Sequence, residues 1–317
     1  MIDLKSLLLE EKALGKNPYY SYKVSTLEEI NSEILQIKKV EAKESLRQDA
    51  IMMEYDNVDS ILLTFVAGRI NLLMNPHEAQ IRLNNLMNMF HEKRNYPCAE
   101  YIASIILEAG DSQDALVVLG EIAKSNGNED LMWSYYERYV RCNSKDTDYI
   151  SKVADNYEAK GDKKNARIFY QRTLNRLFYA PDNVKTREVF KSLLDNGTSD
   201  YSFYSTYISK LGLTPLASEL SKMLLSYLMD MKNSFTAETA PSSLRKTLEN
   251  IIDVSKTILV IDKDDVETKE LLSSILKEKY GSSSRYNEVS RKYDVLKSSD
   301  PVKALEEFEK NIAYSKN

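Results

Sequence analysis

The sequence predicts an all-α protein built as an array of helical hairpins, with a helical segment closing its N-terminal end. Two features of the 317-residue chain indicate this fold class. Glycine (9) and proline (7) are scarce for the length, which favours helices joined by short turns over a strand-rich sandwich. One arrangement of apolar and small residues also returns every 34 residues, a period typical of repeat proteins.

Composition narrows the functional classes. The net charge of −5 and the pI near 5.4 give no basic surface for nucleic acid, so we expect no direct nucleic-acid binding. No apolar run approaches the roughly 18 residues of a membrane span, and the start, MIDLKSLLLEEKAL, does not read as a signal peptide. Two cysteines, Cys98 and Cys142, make no disulfide framework. We therefore expect a soluble cytoplasmic protein without a membrane contact.

The clearest repeat begins at Thr147 and consists of two helices around a Gly161-Asp162 turn. Apolar and small residues line the facing sides: Ile150, Val153, Ala154 and Tyr157 on the first helix, and Ala166, Phe169, Tyr170 and Leu174 on the second. Small residues at Ala154 and Ala166 allow the two helices to cross closely. Gly161 ends the first helix where a positive φ is needed.

The same pattern precedes this repeat twice. In the preceding 34 residues the equivalent positions are Leu116, Leu119, Gly120, Gly127 and Tyr136. One period earlier, a second helix carries Cys98, Ile102 and Ile105, after a less regular first helix with Leu83, Leu86 and Met89. The period and residue types resemble the tetratricopeptide repeat, which implies a right-handed superhelical solenoid. The stretch 258–276 reads as two more helices of such an array, joined by a turn.

Three segments are predicted along the chain. Residues 1–76 form the helical cap, with a capping box at Ser25 and Glu28 and a buried helix over 58–74. Residues 77–180 hold the tetratricopeptide-like repeats, and 181–317 continue the array with irregular spacing. The helices expected in this last segment are 184–195, 200–211, 215–232, 242–260, 265–280, 285–297 and 301–314, the last opened by Asp300-Pro301.

Motifs for catalysis, metals or nucleotides are weak. His77 and His91 lack a partner at ligand spacing, and Cys98 occupies a repeat core position. The DKDD run at 262–265 has no calcium-loop glycine, and the GK pair at 15–16 is not a phosphate loop. Paired carboxylates such as Glu10-Glu11 read as solvated helix faces. We expect no enzymatic activity, no cofactor, no metal and no small-molecule substrate.

A surface is then the remaining candidate for function. In tetratricopeptide-like arrays the first helix of each hairpin lines a groove, and here that face carries mixed charge. Such a face suits a protein segment of complementary charge, although an ordinary solvated face remains the alternative. The predicted groove residues are Asp148, Ser151, Lys152, Asp155, Glu158, Glu121 and Lys124.

Longer runs of the sequence resemble one family. These runs are NYPCAEYIASIILEAGDSQDALVVLG (95–120), MWSYYERYV (132–140), DNYEAKGDKKNARIFYQRTL (155–174) and DPVKALEEFEKNI (300–312). They are similar to the helical N-terminal region of spirochaete Gre-type transcript-cleavage factors. In that family such a region precedes an acidic-tipped coiled coil and a polymerase-docking domain, and neither has a match in this chain. The resemblance therefore implies a contact with RNA polymerase or an associated protein, and no catalytic residue.

The sequence thus leads to a protein-binding scaffold as the expected function. The family resemblance makes it the N-terminal region of a Gre-type elongation factor. The alternative is a free-standing cytoplasmic adaptor of the tetratricopeptide type, unrelated to transcription.

Overall fold

The computed structural model describes residues 2–15, 18–75, 80–143, 145–197, 201–236 and 238–313. Within these ranges the chain forms seventeen α-helices and one short 3₁₀-helix, and no β-strand. The predicted all-α class is confirmed. The chain divides into two compact units, residues 1–153 and 154–317, and the division falls inside one helix.

The first unit contains eight whole helices. They are α1 (Leu4–Ala13), α2 (Val24–Gln36), α3 (Val40–Asp56), α4 (Ile61–Met74), α5 (Gln80–Glu92), α6 (Tyr96–Glu108), α7 (Gln113–Ser125) and α8 (Glu129–Cys142), with a 3₁₀-helix at Pro18–Tyr20. From α3 to α8 each helix packs on the next, and α5 also packs on α7. Contacts between successive helices and between alternate helices are those expected of stacked hairpins.

The helix α9 (Thr147–Ala159) contains the division, and eight helices follow it. They are α10 (Lys163–Leu177), α11 (Asn183–Asp195), α12 (Tyr201–Leu211), α13 (Pro215–Asn233), α14 (Pro241–Ile261), α15 (Val266–Tyr280), α16 (Tyr286–Leu296) and α17 (Pro301–Ala313). Each of the last seven helices begins and ends within one residue of its predicted bounds. Packing contacts join α10 to α11, α12 to α13, α14 to α15 and α16 to α17.

The predicted buried helix is α4, which begins at Ile61 and has buried residues around its whole circumference. A helix that is apolar on all sides is stable only when neighbours cover it, and α1, α2, α3 and α5 all pack on α4. The side chain of Arg69 carries a charge into this core and is 3% exposed. Its guanidinium donates to Asn31 Oδ1 at 2.7 Å and to Glu108 Oε2 at 2.8 Å, so the buried charge is paired.

The hairpin turns predicted at Gly127 and Gly161 are confirmed. Their φ angles are +72° and +77°, in the left-handed region that favours glycine. After Gly161, the backbone N–H of Asp162 donates to the carbonyl of Tyr157 at 2.9 Å, which closes the end of α9. The residue after Gly127 makes the equivalent bond at the end of α7, also at 2.9 Å.

A third turn of the same type joins α5 to α6, with Arg94 at a φ of 58° in place of glycine. In all three turns the residue after the left-handed position also caps the following helix. The side chains of Asn95, Asn128 and Asp162 accept from backbone N–H groups three residues ahead, at 3.4, 3.2 and 3.1 Å. We call this arrangement the shared-cap turn, because one residue closes one helix and opens the next.

The close helix crossing predicted at Gly120 is present between α7 and α8. A Cβ atom on Gly120 would lie 2.2 Å from Cε1 and 2.7 Å from Cδ1 of Tyr136. Tyr136 is itself 7% exposed and packs edge-on against Trp133 and Tyr149, with ring centroids 5.9 and 4.9 Å away. Only glycine leaves room for this ring.

Two local predictions are wrong. The helix α2 begins at Val24 after Lys23, which makes no side-chain cap bond, so Ser25 lies inside the first turn and forms no capping box. On α5, Met89 is 36% exposed, and the core face is formed by Leu83, Leu86, Met87 and Phe90. The three-segment division of the chain stays a prediction, and its boundary at residues 76 and 77 lies outside the described residues.

Candidate functional site

The predicted groove residues lie on two helices, with Glu121 and Lys124 on α7 and the other five on α9. Five side chains are exposed: Glu121, Lys124, Asp148, Lys152 and Asp155. Ser151 and Glu158 are half-buried. The residues on α7 and the first three on α9 belong to the first unit, and Asp155 and Glu158 belong to the second.

In the first unit, Glu121 lies beside α5 and beside an aromatic layer. Its Oε2 atom is 3.4 Å from Nε2 of His91, a pair that is ionic only when the imidazole is protonated. Burial raises the pKa of Tyr149, and the charges of Glu121 and Asp146 raise it further. Glu121 therefore adds negative charge to a surface lined by tyrosine.

The aromatic layer supports the start of α9. The ring of Tyr149 packs edge-on against Tyr136 and Tyr139, with centroids 4.9 and 4.8 Å apart. The ammonium group of Lys152 lies 4.9 Å from the centroid of Tyr149. This cation–π contact holds the predicted groove lysine against a fixed ring, although the side chain remains exposed.

In the second unit, Asp155 and Glu158 converge on one buried hydroxyl. The Tyr170 Oη atom lies 2.6 Å from Asp155 Oδ1 and 2.5 Å from Glu158 Oε2. Burial and the two carboxylates raise the pKa of Tyr170, since each disfavours a phenolate. These two groove residues thus bind α9 to α10 as well as presenting charge, which the spacing of the sequence did not reveal.

The structure therefore places parts of the predicted groove in defined contacts, and whether the seven residues form one partner-binding surface stays a prediction. Glu121 and Lys152 both neighbour Tyr149 in the first unit. Asp155 and Glu158 share Tyr170 in the second. Ser151 and Lys124 keep the positions predicted for them on α9 and α7.

The prediction that the Glu11 carboxylate lies on a solvated helix face is wrong. It is 7% exposed and accepts from Ser60 Oγ at 2.6 Å and from the backbone N–H of Ile61 at 2.6 Å. A carboxylate at this place satisfies free N–H groups at the start of α4 and meets the positive end of the helix dipole. The partners lie 49 and 50 residues away in sequence, so no local pattern indicates the contact.

Of the residues considered for metal or nucleophile chemistry, Cys98 lies in the core. Cys98 is fully buried, as predicted, and burial raises the pKa of its thiol to about 11, which disfavours a reactive thiolate. His77 lies outside the described residues, and so does Lys16 of the GK pair. In the described ranges, no group of three or more His, Cys, Asp or Glu side chains is arranged to hold a metal ion. Nor is any helix there long and apolar enough to cross a membrane.

Comparison with known proteins finds similar solved structures and similar sequences. No protein-family model matches the chain. A crystal structure of the C-terminal part of a TPR repeat-containing protein from Cytophaga hutchinsonii covers 79% of this chain and 98% of its own, at 12% identity and a TM-score of 0.26. This likeness is too weak to support a fold, and the helices and turns described above show the fold by themselves.

Both sequence relatives carry names that refer to GreA. The GreA-associated domains protein of Treponema pallidum is 26% identical over 257 residues, which cover 81% of this chain and 37% of the relative. The transcription elongation factor GreA of Borreliella burgdorferi is 22% identical over 315 residues, covering 98% of this chain and 32% of the relative. The chain thus spans about a third of the length of each. Over most of its own length it is similar to spirochaete proteins named for GreA, as the resemblance of the sequence predicted.

Proposed function

We propose that this chain is a protein-binding helical scaffold that works as part of a Gre-type transcription elongation factor. Its role is to contact RNA polymerase or a protein associated with it. The observation that most supports this proposal is the similarity, over 98% of the chain, to a protein named as the elongation factor GreA. Similarity over such a length favours a common use of the scaffold.

The proposed contact surface is the charged face of α7 and α9. It presents both signs of charge: the carboxylates of Glu121 and Asp148, and the ammonium groups of Lys124 and Lys152. Complementary charge at the rim of an interface contributes more to association rate and specificity than to affinity. A fixed aromatic layer under Lys152 lowers the entropy that its side chain would lose on binding.

The structure also decides which residues give a clean test. Reversing the charge of Asp155 or Glu158 would remove an acceptor of the buried Tyr170 hydroxyl, and the array would lose stability together with any binding. Lys124 and Lys152 are exposed, and their side chains make no hydrogen bond or ion pair with the described residues, so glutamate at both positions removes only the cation–π contact of Lys152 with Tyr149. These two lysines are therefore the informative positions.

The test is a binding titration of the immobilised chain with RNA polymerase purified from the organism that encodes it. We expect saturable binding that weakens with added salt, because exposed charges are screened. The Lys124→Glu/Lys152→Glu variant should bind about 5–10-fold more weakly, given roughly 0.5 kcal/mol or more for each rim charge. The variant Lys38→Glu/Lys39→Glu has the same net charge at exposed positions before α3, outside the α7 and α9 face, and it should bind like the unchanged chain.

Two results would contradict the proposal. If the polymerase binds neither directly nor in a complex recovered from lysate, the link to transcription is wrong, and the free-standing adaptor takes its place. If both double variants weaken binding equally, the polymerase contact does not lie on the α7 and α9 face.

A further inference from the structure

An open groove of about 660 Å³ lies along α3 in the first unit. Its inner surface is apolar, formed by Ile2 and Leu4 at the start of α1, by Ile37 before α3, and by Leu46 on α3. Ile2, Leu4 and Leu46 are 7%, 7% and 9% exposed, so they are part of the packed core as well as of the groove. The floor of the groove is therefore formed by packed core side chains.

The wall on α3 is one continuous helix face. The residues of α3 that line the groove are 42, 45, 46, 49, 52 and 53, which follow the three- and four-residue spacing of a single face. They extend over about 16 Å of helix. At the C-terminal end of this face, Met52 is 69% exposed and Met53 is half-buried. Methionine at the edge of an open apolar groove adapts its shape to an incoming side chain.

Charge distinguishes the two walls. Asp49 is the one carboxylate on the α3 wall, it is exposed, and it makes no ion pair or hydrogen bond with the described residues. On the other wall, the exposed Lys5 carries a positive charge next to Asp3, and the Asp3 carboxylate accepts from the N–H of Lys5 at 3.1 Å and from Ser6 Oγ at 2.8 Å at the start of α1. Asp49 is therefore the carboxylate that this groove offers to a cation.

We propose that the groove binds an amphipathic helix of a partner protein. The apolar stripe of that helix packs on Leu46, Met52 and Met53, and a lysine or arginine at the edge of the stripe pairs with Asp49, which lies between them on the same α3 face. An apolar groove that takes the apolar side of a helix is the pattern of helix-in-groove recognition, and the carboxylate within it selects a partner with a matching cation. The site goes beyond the proposed polymerase contact, since it shares no residue with the α7 and α9 face.

The test uses a fluorescein-labelled helical peptide of about 15 residues as the probe, long enough for the 16 Å face. The peptide carries leucines at spacings of three and four and lysines beside them, and anisotropy is measured against the full chain. We expect saturable binding, and a loss of affinity of about tenfold or more for Met52→Glu, which places a charge in the apolar wall. The matched control is Tyr55→Glu on the same helix, at a side chain that is 80% exposed and does not line the groove.

Charge exchange tests the orientation of the bound helix. Asp49→Lys should weaken the lysine-flanked peptide about fivefold and strengthen the same peptide with glutamates in place of the lysines. The proposal is overturned by an absence of saturation up to about 1 mM peptide, the weak limit of specific recognition. It is also overturned if Met52→Glu and Tyr55→Glu bind alike, or if Asp49→Lys leaves the preference between the two peptides unchanged. Circular dichroism confirms that each exposed substitution keeps the helical content.

Discussion

Gly120→Ala is the substitution for which the structure makes the sharpest prediction. The new Cβ would lie 2.2 Å from Cε1 of Tyr136, whereas carbon atoms in contact are normally about 3.5–4.0 Å apart. The ring would have to move by more than 1 Å, roughly the missing distance. Tyr149 stands edge-on against the ring, with centroids 4.9 Å apart, and opposes that movement.

The expected magnitude follows from two opposing terms. Overpacking a tight core costs about 1–3 kcal/mol, and the contact here belongs at the upper end because the ring is held on two sides. Alanine is favoured over glycine in a helix interior by about 1 kcal/mol. We therefore expect the free energy of unfolding of the first unit to fall by about 1–2 kcal/mol.

Urea unfolding followed by tryptophan fluorescence measures this effect locally. Trp133 is the single tryptophan of the chain, and its ring lies 5.9 Å from that of Tyr136. Gly68→Ala is a matched comparison, because it makes the same change inside α4 but meets the Leu83 side chain at 3.0 Å, a longer distance than the 2.2 Å at Gly120. It should change the unfolding free energy by less than about 1 kcal/mol, since the smaller overlap offsets less of the gain from alanine in a helix.

A double-mutant cycle tests whether the contact with Tyr136 causes the loss of stability. In a Tyr136→Leu background the ring is absent, so Gly120→Ala should become neutral or stabilising, with a coupling energy of about 1–3 kcal/mol. Equal destabilisation in both backgrounds would mean that the contact with Tyr136 is not the cause. A stabilised single variant would contradict the packing described between α7 and α8.

Three further predictions concern helix ends. Glu11→Gln should lower the unfolding free energy by about 1–3 kcal/mol, because charged hydrogen bonds at the start of α4 are lost, while Glu10→Gln at an exposed neighbour should change little in the same urea titration. Arg94→Gly should raise the midpoint of thermal unfolding, since a left-handed residue with a side chain costs about 1 kcal/mol. Asp265 is paired with Lys222. Burial raises the pKa of its carboxyl, but the bonds with Lys222 and Thr268 lower it more, so the pKa lies below the ordinary value of 3.8. A carboxyl whose pKa is lower in the folded than in the unfolded protein stabilises the fold at pH values above its unfolded pKa, and this stability is lost as the pH falls through the folded pKa. Asp265→Asn should therefore destabilise the protein at pH 7 and differ little from the unchanged chain well below pH 3.8. Unfolding followed by circular dichroism at both pH values measures this.

Local features of the fold could be predicted because their causes are local. The helices after residue 181 follow from apolar spacing and from starts such as Asp300, whose carboxylate accepts from Lys303 N–H at 3.0 Å. Gly161 could be assigned a positive φ because few other residues tolerate it. Arg94 could not be assigned one, since its backbone is held left-handed by the surrounding turn bonds rather than by its own preference.

Long-range contacts are what the sequence could not supply. Glu11 and Ser60 meet across 49 residues, and both residue types are ordinary at their positions. The charged face of α9 was predictable from spacing alone, yet the sequence did not show that Asp155 and Glu158 hold the hydroxyl of Tyr170. A side chain can present charge and also bind a neighbouring helix, and only coordinates separate the two roles.

The shared-cap turn has a consequence for how chains of this type can change in length. Because Asn95, Asn128 and Asp162 each close one helix and open the next, an inserted residue would separate two bonds that depend on one position. Between hairpins the roles are divided: α6 ends at Glu108, and Ser112 caps α7. Evolutionary insertions and deletions should therefore collect between hairpins and spare the turns within them, which would let the repeat period drift while every hairpin keeps its geometry.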